Sequence, residues 1–187
     1  GALAAARLWW MLRLAGAREV ALLDGGWGAW KQAGLPVEAA STPRAATSVA
    51  IDFDASGIVY TGELRELRKR GEVLVLDARG APRFRGEVEP IDPVAGHIPG
   101  ARNRPLSENL AADGRFKPAA ELRAELLVAI GAHAPEAVVH SCGSGVSACQ
   151  NLLAFEIAGL AGSRVYAPSW SGWISDSGNL VARDRHG

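Results

Sequence analysis

Two hydrophobic rhythms alternate along the chain. Val146, Cys149, Leu153, Ile157 and Leu160 recur at spacings of three and four, the period of one helix face. Leu122, Leu126, Leu127 and Ile130 do the same behind Pro118, which suits a first helical turn, and Gly131 closes that helix. Between such stretches lie unbroken apolar runs. Val73-Leu74-Val75-Leu76, ended by Asp77, and Ala137-Val138-Val139-His140 have the composition of strands buried on both faces. Thr61 stands where it would cap a helix through Arg70, with Gly71 as its stop. Alternation of this kind predicts an α/β fold, a parallel sheet flanked by helices, with ligands beyond the carboxyl ends of the strands. Residues 86–100 carry Pro90, Pro93 and Pro99 and cannot be regular. They are read as a surface excursion that re-enters at Gly96-His97-Ile98-Pro99-Gly100, and loops of that length tend to carry function.

Trp27-x-x-Trp30 and Trp170-x-x-Trp173 are two copies of one pattern, 143 positions apart. The same offset superposes Ala5 on Ala148, Ala15 on Ala158 and Gly16 on Gly159, and sets Leu3 against Val146, Trp10 against Leu153 and Leu14 against Ile157. Both segments read as helix, glycine stop, short strand and Trp-bearing turn, so a duplicated module is expected. Gly1 then aligns with Ser144, and the counterpart of Cys142 falls before the first residue, which is not Met. The expected organisation is a carboxyl-terminal remnant of a first module at 1–40, a small polar linker at 41–57, a complete module at 58–177 and a tail at 178–187. Without the strands of the first copy, Trp9, Trp10, Met11 and Leu14 are expected to be underpacked. Residues 1–40 would then need the missing segment or another chain to cover them.

Charge narrows the function classes. Twenty Lys and Arg balance twenty Asp and Glu in 187 residues, which leaves no net field for nucleic acid or an anionic membrane. Apolar residues make up 48% of the chain, but Arg7 and Arg13 interrupt the longest apolar stretch before it reaches the roughly 18 residues of a span. With no basic leader before that stretch, a cytoplasmic location is expected. Cys142 and Cys149 are too few for a disulfide framework and lack the paired spacing of a zinc site. No metal and no cofactor are expected, and any cysteine chemistry falls to a single thiol.

Cys142 follows a strand, shares its loop with Gly143 and Gly145, and precedes a helix. Free backbone N–H groups at such a helix start, curled into a nest, favour a thiolate, and the helix dipole acts in the same direction. A Cβ at either glycine is expected to block the curl or to demand a positive φ. The plainer reading, a small buried cysteine beside a tight turn, stays open. Cys149 and His140 read as core residues, and His97 as the brace of a turn. Three chemistries use an anionic cysteine in such a loop. A cysteine-dependent phosphatase needs an arginine at position 148, where the chain has Ala148. A cysteine hydrolase needs a partner histidine, and His97, His133 and His140 form no recognisable pattern with Cys142. Sulfur transfer through a persulfide needs neither.

The residues from Cys142 to Ala148, Cys-Gly-Ser-Gly-Val-Ser-Ala, resemble the active-site loop of the 3-mercaptopyruvate sulfurtransferase branch of the rhodanese family, with Ser147 in place of the usual Thr. Asp77-Ala78-Arg79 with Arg83-Phe84-Arg85-Gly86, Gly96-His97-Ile98-Pro99-Gly100-Ala101 with Asn103, and Ser169-Trp170-Ser171-Gly172-Trp173 agree in order. The resemblance spans residues 58–177 and accounts for the repeat, since that family commonly pairs two modules of which the second carries the cysteine. It implies that Cys142 forms the persulfide and that Arg83 binds the donor's carboxylate or sulfonate end, a match for a planar guanidinium fork. It further implies that Ser144 supplies a loop hydroxyl and that Gly143, Gly145, Val146 and Ser147 contribute amides. Arg79 and Arg85 stay open between substrate contact and solvated surface. The implied donor is 3-mercaptopyruvate first and thiosulfate second, and the acceptor is a thiol such as thioredoxin, or cyanide. Two departures bear on donor choice and activity. Glu87-Val88-Glu89-Pro90-Ile91-Asp92 stands where the branch has a second substrate arginine, and the acidic and histidine groups of the first module are absent. A rival from another class is a non-catalytic rhodanese-like module that binds a partner protein through an exposed Trp face.

Overall fold

A computed structural model of the chain describes residues 2–41 and 43–183. Gly1, which the repeat sets against Ser144, and the last four residues of the expected tail lie outside the described residues. In chain order the elements are α1 (Leu3–Leu14), α2 (Gly26–Gln32), β1 (Ile58–Val59), α3 (Thr61–Lys69), β2 (Leu74–Asp77), α4 (Ala81–Phe84), β3 (Arg102–Asn103), α5 (Ala119–Ile130), β4 (Val138–Ser141), α6 (Ala148–Ile157), β5 (Arg164–Tyr166) and α7 (Ser169–Ile174). The five strands form one parallel sheet in the order β1-β5-β4-β2-β3. Both outer strands are two residues long, which keeps the open edges short.

Strand periodicity sorts the core into two layers. Leu74, Leu76 and Val138 face Leu122 and Leu126 of α5 and Phe155 of α6. Val75, Val139 and Tyr166 face the opposite way, onto Leu64 of α3, Phe84 of α4 and Trp170 and Trp173 of α7. Every residue of β2 and β4 is buried, as their unbroken apolar sequences require. In the register between them Asp77 lies opposite Ser141, so the two central strands end level and release their following loops at one edge.

The structure corrects three sequence expectations here. Thr61 does not cap α3: Tyr60 holds that position without a side-chain bond, and the Thr61 hydroxyl lies 2.9 Å from the Tyr166 hydroxyl. The short strand expected between Gly16 and the first Trp-bearing turn does not form, because no neighbouring strand offers that stretch a ladder. The predicted underpacking is also displaced. Trp9, Trp10 and Leu14 are buried together with Cys149, Leu152 and Leu153 of α6, so the chain covers them itself. Among the four residues named for that surface only Met11 stays open, at 49% exposure, beside Leu8 at 56%. The amino-terminal segment is tied on elsewhere too, with the Asp24 carboxylate accepting the Phe116 N–H at 3.0 Å. No described helix is long and apolar enough to cross a membrane.

His140 sits on the α6 side of β4, edge-on to the Phe155 ring at 4.7 Å. Its Nε2 is 3.0 Å from Ser163 Oγ, and Nδ1 has no partner among the described residues. Burial pushes its pKa down to about 3, so the folded protein holds it neutral. A histidine in the unfolded chain titrates near 6.5, so between those values only the unfolded state takes up the proton. Stability is therefore complete above about pH 6.5 and is lost as pH falls toward 3. Denaturant unfolding at pH 5 should show about 2 kcal/mol less stability than at pH 7.5 from this group. His140→Leu should remove most of that pH dependence, and an unchanged slope would exclude His140 as its source.

Candidate active site

The loop after β4 is fastened to α7 by its backbone. Cys142 donates its N–H to Ser169 Oγ at 3.2 Å and accepts the Trp170 N–H at 3.0 Å, and the Ser171 N–H reaches the Gly143 carbonyl at 2.9 Å. Ser169 takes a left-handed φ of 52°, the only described non-glycine residue to do so, and its hydroxyl donates to the Tyr166 carbonyl at 2.9 Å. Strain of this kind concentrates where a site is held against its preferred geometry. The helix does not begin at once after the glycines as expected. Val146 and Ser147 form a tight first turn, with Cys149 N–H to the Val146 carbonyl at 3.2 Å, and α6 starts at Ala148.

That turn leaves a run of unpaired donors. Among the described residues, the N–H groups of Gly143, Ser144, Gly145, Val146 and Ser147 donate to no protein acceptor. Unpaired amides converging at a helix start suit a bound anion. Gly145 makes the curl possible. Its φ is +75°, and a Cβ there would lie 2.4 Å from the Ala167 carbonyl oxygen. Its carbonyl accepts Arg7 Nη1 at 3.0 Å, so α1 helps to hold the loop. At Gly143 the expected backbone demand is absent: φ is not positive, and a Cβ would meet the Arg83 guanidinium nitrogens at an ordinary 3.6 Å.

Cys142 is 1% exposed, and it lies at the floor of a cavity of about 110 Å³. Arg83, Gly143, Ser144 and Ser147 from the predicted set line that cavity, while Gly145 is buried behind the loop and Val146 points outward at 36% exposure. Asp92, Ile91 and Ser171 complete the wall and were not singled out as site residues from the sequence. The proline-rich excursion and the Ser-Trp-Ser-Gly-Trp segment were the signals available for them. A larger cavity of about 420 Å³ between α3 and α7, lined by Arg65, Arg68 and Trp173 among others, has no cysteine in its lining. Cys149 is fully buried with its thiol on the Gly145 carbonyl at 3.3 Å, and burial pushes its pKa up to about 11.

The three arginines separate clearly. Arg79 is not a surface group: it is 3% exposed, grips the Asp77 carboxylate through Nε and Nη2, donates to the Gly96 carbonyl at 2.8 Å and lies over the Trp170 ring. Arg85 is a surface residue paired with Glu87 at 2.8 Å. Arg83 faces the cavity, but its fork is already engaged, by Glu89 at 2.6 and 3.2 Å and by Asp92 at 3.3 Å. Nε and Nη2 of the fork therefore face the chain's own carboxylates. His97 braces a turn as read, with Nδ1 2.8 Å from the Phe84 carbonyl and its ring stacked on Phe84. The exposed Trp face of the rival reading is mostly absent: Trp9, Trp10, Trp170 and Trp173 are buried, and Trp27 is exposed. Among the described residues no cluster of three His, Cys, Asp or Glu side chains is placed to hold a metal.

The family described as Rhodanese-like domain matches residues 61–176. A Pseudomonas aeruginosa protein, named as a probable 3-mercaptopyruvate sulfurtransferase, is 45% identical over 95% of this chain and 63% of its own length. A Mycobacterium tuberculosis protein, provisionally named a thiosulfate sulfurtransferase, is 41% identical over 95% of this chain and 62% of its own. The chain thus spans somewhat under two thirds of the relatives it matches. The crystal structure of Tum1 protein from Saccharomyces cerevisiae superposes with a TM-score of 0.83 at 27% identity, covering 98% of this chain and 67% of that one.

Proposed function

The chain belongs to the rhodanese-like domain family, and from that premise we propose that it is a sulfurtransferase working through a persulfide on Cys142. The observation that carries this reading is the run of unpaired amides from Gly143 to Ser147 in the loop directly after a cysteine at a cavity floor, with Arg83 on the wall. The Cys142 thiolate attacks the sulfur of 3-mercaptopyruvate and forms the S–S bond. The carbon–sulfur bond breaks, its electron pair passes to the carbon as an enolate, and that enolate takes a proton to become pyruvate. The new persulfide gives up its proton and rests as an anion stabilised by the unpaired main-chain N–H groups of the loop. An acceptor thiolate then takes the outer sulfur and restores the Cys142 thiolate. Thiosulfate can enter the same cycle, leaving sulfite, and it is the donor in the mycobacterial relative's name. The acceptor is a thiol such as a reduced redox protein, or cyanide.

Incubation with 3-mercaptopyruvate, followed by intact mass and peptide mapping, tests the reading. One sulfur atom should be gained per chain, on the peptide that contains Cys142, and it should be lost on adding a thiol. A chain that gains no sulfur from any donor would leave a fold without this chemistry.

A further inference from the structure

We propose that Glu89 and Asp92 determine the donor specificity of this site, by occupying Arg83 so that sulfur donors with a single negative charge are preferred to dianions. The inference rests on the sulfur-transfer reading above. A guanidinium has five N–H groups. Here Nε and Nη2 are turned to the chain's own carboxylates, Glu89 at 3.2 and 2.6 Å and Asp92 at 3.3 Å. Nη1 accordingly has no protein acceptor among the described residues, and it lies against Gly143, beside the nucleophile.

Neither carboxylate is free to swing away. The Glu89 side chain is 4% exposed, its Oε1 accepts the N–H groups of Ile91 and Asp92 at 3.1 Å each, and Arg79 Nη1 lies 3.5 Å from its Oε2. Burial works to raise its pKa, but Arg83 and those two amides outweigh it and the net shift is downward, so Glu89 stays ionised. The Asp92 side chain is 8% exposed, and its Oδ1 is 2.7 Å from the Ser171 hydroxyl, on the residue whose N–H holds the Gly143 carbonyl. Arg79 does not add positive charge to the cavity, because Asp77 neutralises it. Arg83, Glu89 and Asp92 together therefore carry one negative charge.

A donor meets this wall through Nη1 alone. A 3-mercapto-2-oxo acid has one carboxylate, separated from its sulfur by a short carbon chain, so the carboxylate can take Nη1 while the sulfur reaches Cys142. Thiosulfate spreads its two charges over the transferred sulfur and the three oxygens two bonds from it, and must bring them beside Asp92. At contact distance in a partly buried site, one added like charge is a large penalty, and the dianion bears it twice.

The test is the second-order rate constant for persulfide formation on Cys142, followed by intact mass with 3-mercaptopyruvate and with thiosulfate. In Asp92→Asn, which keeps an acceptor for Ser171, the thiosulfate constant should rise about tenfold and that for mercaptopyruvate should change less than about threefold. Glu89→Gln should shift the ratio the same way. Equal changes for both donors, or a fall for thiosulfate, would overturn the proposal. The unsubstituted chain offers an arm that no folding defect can spoil. Raising salt should increase the thiosulfate constant if the wall is net negative and decrease it if Arg83 presents an open positive charge. Inorganic polysulfide serves as control donor. Persulfide from polysulfide with no donor-charge dependence removes the specificity claim alone, whereas no persulfide from any donor removes the sulfur-transfer reading as well.

Discussion

Cys142→Ser is expected to abolish sulfur gain from every donor, a loss of more than about a thousandfold, while Cys149→Ser retains it. A serine oxygen cannot carry the sulfane sulfur, and no second thiol can substitute. Cys149 is fully buried, its thiol is committed to the Gly145 carbonyl, and its pKa is pushed up to about 11. A thiolate is the reactive form, so at neutral pH Cys149 is a poor nucleophile with no route to the donor. Serine at 149 keeps a donor for the Gly145 carbonyl and so leaves the loop in place. The two variants, treated with 3-mercaptopyruvate and read by mass, should give opposite results. Sulfur retained in Cys142→Ser would move the chemistry to another residue and end the present assignment.

The largest stability effect is expected at Arg79. Its guanidinium holds Asp77, which is 1% exposed, through contacts of 2.7 and 3.1 Å. Arg79→Met would leave a buried carboxylate with only backbone help, and breaking one side of such a pair costs about 3–5 kcal/mol. That is a large share of the roughly 5–15 kcal/mol that hold a domain of ordinary size together. The chemistry would suffer with it, because Asp77 and Arg79 also fasten the excursion through the Gly96 carbonyl, and Glu89 would lose a neighbour. The double variant Asp77→Asn with Arg79→Met should recover part of the loss, since the uncompensated charge is then gone. Urea unfolding of the three variants measures this, and purely additive costs would show that packing, not charge, is what Arg79 supplies.

The fold was readable because its signals are local. The runs at 73–76 and 137–140 could be satisfied only by burial on both faces, and the helix faces at 122–130 and 146–160 carry their own period. Short-range patterns failed where pairing or packing decides. The stretch between Gly16 and Trp27 reads as holding a short strand but has no strand beside it, and Thr61 has a capping side chain that Tyr166 draws elsewhere. The burial of Trp9 and Trp10 depends on how α1 lies across α6, an arrangement that no window of sequence contains.

For the site, the amino-acid order by itself singled out the proposed nucleophile and its loop. Cysteine, two glycines and a following helix are adjacent in the chain, and the conformations open to them follow from that adjacency. Only the tertiary structure decided what faces the cysteine. Asp92 and Ser171 stand 79 positions apart and meet through a 2.7 Å hydrogen bond, and Glu89 folds back to fill the fork of Arg83. Charge at a site is a sum over groups brought together from distant segments, and it falls off with distance in space, not with separation along the chain.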